Sequence, residues 1–146
     1  MRVYLDNCSL QRPLDDKSQV RIALEAEAML GIMALHQQGV LEIVHSDALR
    51  FEIDRTPDLQ RKVFAAELLK DAAAYVAFSP QIVARAKELE QEGIKPLDAL
   101  HVACAEHGNV YCFCTCDDRL MKRLKVIASI TIAIVTPLEL IQEVLP

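Results

Sequence analysis

Two short apolar runs end in acid: Val3-Tyr4-Leu5-Asp6 near the start, and Val110-Tyr111-Cys112-Phe113-Cys114-Thr115-Cys116-Asp117-Asp118 near the end. An isolated carboxylate is too costly to leave charged in an apolar interior, so each run should be a core strand that reaches the edge of the core at its acid. Similar runs at 41–45, 75–78 and 131–135 bring the strands, with 3–6 and 110–115, to five. Between them the pattern turns helical. Leu24, Ala28, Gly31, Ile32 and Leu35 recur at helical spacing; Asp16 with Gln19 offers a capping start and Gly39 a stop. Thr56-Pro57, Ser79-Pro80 and Thr136-Pro137 each pair a capping hydroxyl with a first-turn proline, the last completed by Glu139. Helices are predicted over 18–38, 47–54, 57–74, 80–92, 96–107, 118–125 and 137–145.

This alternation is α/β and predicts a mostly parallel sheet, covered on both faces, with right-handed crossovers. If the strand order runs 3-2-1-4-5, it reverses between strands 1 and 4, and ligands bind at such a reversal outside the carboxyl ends of the strands. Asp6 and Asp117 stand at those two ends.

A chain of 146 residues and 16.3 kDa fits a single domain, 1–146, with a core that needs no staples. Its 52% hydrophobic and 25% charged residues exclude a disordered chain. No apolar run reaches the roughly 18 residues of a membrane span, and the start lacks the apolar core of a signal peptide, so a soluble cytoplasmic protein is expected. Five cysteines, three of them alternating along one strand, read as reduced core residues, Cys8 and Cys104 included. The net charge of -5 argues against a protein that wraps nucleic acid on a basic surface. It leaves room for one that cuts it, because carboxylates holding a divalent cation raise the acidic count.

Two further acids stand out. Asp98 opens the small, apolar helix Pro96-Leu-Asp-Ala-Leu-His-Val-Ala-Cys-Ala105, and Glu52 sits in a short helix after the second strand. Each acid has a plain structural explanation: a cap for Asp6 and Asp117, a dipole partner for Asp98, an exposed helix position for Glu52. Together they offer four hard oxygen donors, a set suited to Mg²⁺ or Mn²⁺ and to chemistry on a phosphate ester.

With these residues in order, the chain resembles PIN-domain proteins, in particular the VapC-type toxin ribonucleases. The resemblance rests on Leu5-Asp6-Asn7, Ser46 with Glu52 six residues on, Asp98-Ala-Leu-His-Val-Ala103 and Thr115-x-Asp117. It implies a compact three-layer α/β/α fold and a metal-dependent endoribonuclease, often dimeric. In the toxin branch an antitoxin covers the site. Asp6, Glu52, Asp98 and Asp117 would be the acidic quartet, supported by Asn7, Ser46 and Thr115. Asp118 competes for the fourth place, and Thr-x-Asp spacing selects Asp117. The first loop, Asn7-Cys8-Ser9 with Arg12-Pro-Leu-Asp-Asp16, departs from the commoner Asp-Thr-Ser start and marks a distinct subgroup.

His101 reads first as a satisfied, partly buried histidine and second as a residue that orients a carboxylate. Of the basic residues at 119–125, Arg119 follows the proposed site directly and is a candidate for contact with an RNA phosphate. Aromatic residues make up 5% of the chain with no Trp, so the substrate should be held by its backbone more than by base stacking. Two other functions compete. A haloacid-dehalogenase-like phosphatase would need an acid where Cys8 stands, and a non-catalytic PIN-like binding module would have no need to keep four carboxylates together.

Overall fold

The structure, a computed structural model, describes residues 1–145; Pro146, the last residue of the expected domain, lies outside them. Strands β1 (Arg2–Leu5), β2 (Glu42–Ser46), β3 (Ala74–Val76), β4 (Cys112–Cys114) and β5 (Ala133–Val135) form one sheet. Their order is β3-β2-β1-β4-β5, with each neighbouring pair parallel, as expected. The reversal falls between β1 and β4. The helices are α1 (Asn7–Gln11), α2 (Val20–Gln37), α3 (Asp47–Asp54), α4 (Leu59–Leu69), α5 (Pro80–Gln91), α6 (Pro96–His107), α7 (Asp118–Lys125) and α8 (Pro137–Val144). With the sheet they make the three-layer α/β/α arrangement.

Successive strand residues face opposite layers. The Tyr4 hydroxyl reaches His101 on α6, so Val3 and Leu5 serve the other face, and all three are fully buried. In register with Tyr4, Phe113 of β4 stacks on its ring at 5.5 Å between centroids. Cys112 and Cys114, the residues either side of Phe113, are also fully buried, and burial raises both thiol pKa values, Cys112 to about 12. Such thiols are inert packing groups.

Several boundaries differ from expectation, each for a local reason. The helix expected over 57–74 is α4, Leu59–Leu69, because Asp58 caps it by accepting from the Arg61 amide at 3.1 Å. Thr56 turns back instead and donates to the Glu52 carbonyl at the end of α3. The shorter helix frees Ala74 to begin β3 opposite Val44, one residue before the expected strand. Asp16 does not cap α2. Its carboxylate accepts from the Ser18 amide in a turn, and Gln19 stands at the cap without a side-chain bond. Gly39 does stop that helix, at φ +78°, where glycine is unstrained. The capping hydroxyls of Ser79 and Thr136 act as expected, the latter in a full box with Glu139. An element that periodicity did not announce, α1 and the 3₁₀ turn Arg12–Leu14 after it, follows β1 directly, initiated by Asp6.

Because the Asp58 carboxylate satisfies an otherwise orphaned amide, Asp58→Ala should lower the unfolding free energy by about 1 kcal/mol, read from urea denaturation at neutral pH.

Candidate active site

At the end of β1, Asp6 is 7% exposed. Its Oδ1 accepts from the Ser9 amide and from the Cys8 thiol, both at 3.0 Å. Burial raises its pKa, and hydrogen bonds from Thr115, Cys8 and Ser9 oppose the rise. One strand away, Asp117 caps α7 by accepting from the amides of Arg119 and Leu120. Thr115 fixes the approach to it, its hydroxyl accepting from the Asp117 amide at 3.0 Å. Both acids are therefore caps as well as strand-end carboxylates. The cap uses Oδ1 of Asp117 and leaves its other oxygen free of these bonds.

Asp98 lies in the first turn of α6, half-buried, in a depression it shares with Asp117, Lys95 and Arg119. Burial raises its pKa; nearby His101 pulls it down, and the charges of Asp6, Asp117 and Glu52 push it up again. Asp98 and Asp117 thus share one depression beside the strand ends, and Glu52 lines the neighbouring groove.

Glu52 is held differently. Its Oε1 meets His101 Nε2 at 2.7 Å, while His101 Nδ1 meets the Tyr4 hydroxyl at 2.7 Å and that hydroxyl meets Ser46 Oγ at 2.7 Å. A carboxylate can only accept, so Nε2 donates to Glu52, and the bonds at Nδ1 and at the Tyr4 hydroxyl carry the chain on to Ser46. Ser46 in turn caps α3 by accepting from the Leu49 amide. Burial alone would raise the Glu52 pKa, but His101 and Asn7 beside it hold it below the usual range. His101 is thus both of its expected readings at once: a buried, satisfied histidine that orients a carboxylate.

Among the described residues, no group of three or more His, Cys, Asp or Glu side chains is tight enough as placed to hold a metal ion. The chemistry of the donors nevertheless suits a hard cation. They are four carboxylates, one of them half-buried with charge crowding as a cause of its raised pKa.

The other expected residues also find places. Asn7 accepts from Gln11 Nε2 and lines a groove with Glu52. Asp118 is drawn away to a bidentate pair with Arg21, which lowers its pKa, so it stands apart from the cluster. Cys8 is a correction: it is exposed and faces Asp6 instead of filling the core. The Cys116 sulfur and the Asp6 carboxylate beside it push its thiol pKa up. All five cysteines are unbridged.

Two supports escaped the sequence reading. Tyr4 enters the sequence reading only as part of the first apolar run; its period-two position opposite Val3 and Leu5 is the available signal. The other is a buried ion network. Glu25, 1% exposed, accepts from Arg12 at 2.8 Å and from Arg21 at 3.5 Å, and Arg12 also pairs with Asp15, which pairs with Arg61. It ties the unusual loop after Asp6 to α2 and α4. An acid inside the buried stripe of α2 was its signal.

A model of the PIN domain family matches residues 3–127. None of the curated proteins matches the chain. Among solved structures, a chain of VapBC2 from Rickettsia felis, bound to a DNA fragment from its promoter, is similar with a TM-score of 0.57 at 17% identity. The match covers 93% of this chain and 98% of that one. It is a likeness of fold.

Two outcomes follow from the buried chain and the crowded acids. Tyr4→Phe removes one buried hydrogen bond each from Ser46 and His101 and should lower stability by about 1–3 kcal/mol in denaturant titration. Asp98 has a raised folded-state pKa. The stability it contributes is fully present below its unfolded value, about 3.9, and is lost as pH rises through the folded value. In EDTA, Asp98→Asn should therefore raise Tm at neutral pH, with the gain vanishing as pH falls below the unfolded value.

Proposed function

This chain belongs to the PIN domain family, and on that premise we propose that it is a metal-dependent endoribonuclease and the toxin of a toxin–antitoxin pair. The observation that carries the reading is the placing of Asp6 and Asp117 at the ends of the two strands where the order reverses, with Asp98 in one depression with Asp117. Asp6, Asp98 and Asp117 would hold Mg²⁺ or Mn²⁺, with Glu52 beside them. A divalent cation there supplies positive charge to the scissile phosphate and leaving oxygen and lowers the pKa of water.

The chain's own groups do the rest. Glu52, held ionised by His101 and Asn7, orients the attacking water and accepts its proton. His101, locked between Tyr4 and Glu52, keeps that carboxylate aimed inward. Arg119, beside Asp98 and Asp117, contacts a substrate phosphate. Water attack leaves a 3'-hydroxyl and a 5'-phosphate. Partner and setting extend the reading: a small antitoxin masks the acids until it is removed, the protein acts in the cytoplasm, and it pairs with a second copy of itself. No described helix is long and apolar enough to cross a membrane. The phosphatase alternative finds a thiol, Cys8, where it needs its second acid.

Labelled RNAs incubated with Mg²⁺ or Mn²⁺ should be cut to 5'-phosphate products. Cleavage should be abolished by EDTA and reduced about 10³-fold or more by Asp98→Asn, the scale of a lost electrostatic contribution of several kcal/mol. Mn²⁺ at 100 times its Kd should add about 2.7 kcal/mol of stability to the wild type, and far less to Asp98→Asn. Cleavage in EDTA or cyclic phosphate ends would overturn the mechanism; RNA binding without cleavage would favour the binding-module alternative.

A further inference from the structure

Beside the acids runs a groove of about 460 Å³, lined among others by Asn7, Phe51, Glu52, Arg55 and Leu97. Glu52 and Asn7 belong to the acidic site, and Leu97 adjoins Asp98, so the groove leads directly from the site. Phe51 and Arg55 stand one helical turn apart at the end of α3. The Arg55 guanidinium lies over the Phe51 ring, 4.2 Å from its centroid, and the ring is 45% exposed. A large aromatic open to water beside this groove gains free energy when a ligand covers it.

From this juxtaposition we infer that Phe51 and Arg55 form a stacking platform for an unpaired nucleobase of single-stranded RNA, next to the cleaved phosphate. The inference rests on the nuclease reading and deepens it. Charge favours this occupant. The acidic centre repels a polyanion, but cations flank it on both sides: Lys95, Arg119 and Arg123 line the depression at Asp98 and Asp117, and Arg55 lies in the groove on the side of Glu52. Of the other charged groups in the groove, Arg61 is tied to Asp15 and Asp58 caps α4, which leaves Arg55 to meet the strand. Phosphates of one strand can then bridge the two flanks across the acids. A base between them presents a π face to the guanidinium and ring, a contact open to any unpaired base and closed to paired ones.

The chain has no Trp, so Phe51→Trp introduces a single fluorescent reporter at the platform. In an Asp98→Asn background, single-stranded oligoribonucleotides should quench its emission over the same concentration range in which anisotropy of labelled RNA reports binding. A duplex of the same sequence should not. In the otherwise wild-type protein, Phe51→Ala and Phe51→Leu should raise KM for single-stranded RNA roughly 5- to 150-fold with little change in kcat, the scale of one stacked base. Phe51→Tyr should restore it. Emission unchanged when anisotropy shows RNA bound, or Leu performing as well as Phe, overturns the platform while cleavage by the wild type keeps the nuclease reading; the exposed ring would then serve protein docking. Wild-type protein that neither binds nor cuts RNA overturns both.

Discussion

The hydroxyl of Tyr4 holds the middle of this molecule together. It sits at zero exposure on the central strand and joins Ser46 at the end of β2 to His101 on α6, and through His101 reaches Glu52 on α3. Burial raises the Tyr4 pKa well above its ordinary value, so the proton stays and the hydroxyl remains a donor. Each group in the chain has a partner, the condition under which a buried polar network rigidifies a core instead of destabilising it. A displacement of α6 against β1 breaks a bond whose buried ends find no water. The same contact therefore sets the height of Asp98, one turn before His101, and the direction of Glu52.

Around that anchor the structure separates charge into two kinds of place. Asp98 and Asp117 share a depression open to solvent, and the charge of Asp117 is one cause of the raised Asp98 pKa. Away from it, several acids are paired: Glu25 is buried between Arg12 and Arg21, Asp118 is clasped by Arg21, and Glu106 is held by Arg85. Among the described residues Asp98 has no such cationic partner in a hydrogen bond or ion pair, and burial and neighbouring carboxylates raise its pKa.

Much of this could be read before folding. Short apolar runs, two of them ending in acid, located the strands, and prolines after hydroxyls located α5 and α8, because strand and cap chemistry are local and their signals lie within a few residues of the effect. The strand order and the position of Asp6 and Asp117 at its reversal agree with that reading. Where local signals competed, the reading slipped. Thr56 and Asp58 both suited a cap and only packing chose Asp58; Asp16 found a turn amide closer than the helix.

By itself, then, the sequence determined the order of strands and helices, the acids that end them and the reduced, buried state of the cysteines in β4, since each depends on periodicity, burial tendency or short-range hydrogen bonding. Tertiary structure alone decided which acids stay crowded and which are neutralised. Asp117 and Asp118 are neighbours of the same kind, and only the approach of Arg21, 97 residues from Asp118, separates them. It also decided that one exposed aromatic, Phe51, stands beside the site in a chain too poor in aromatics to suggest stacking. Pairings across the chain depend on where the backbone brings distant groups together, and Coulomb and hydrogen-bond energies act over a few ångströms of space, whatever the distance in sequence.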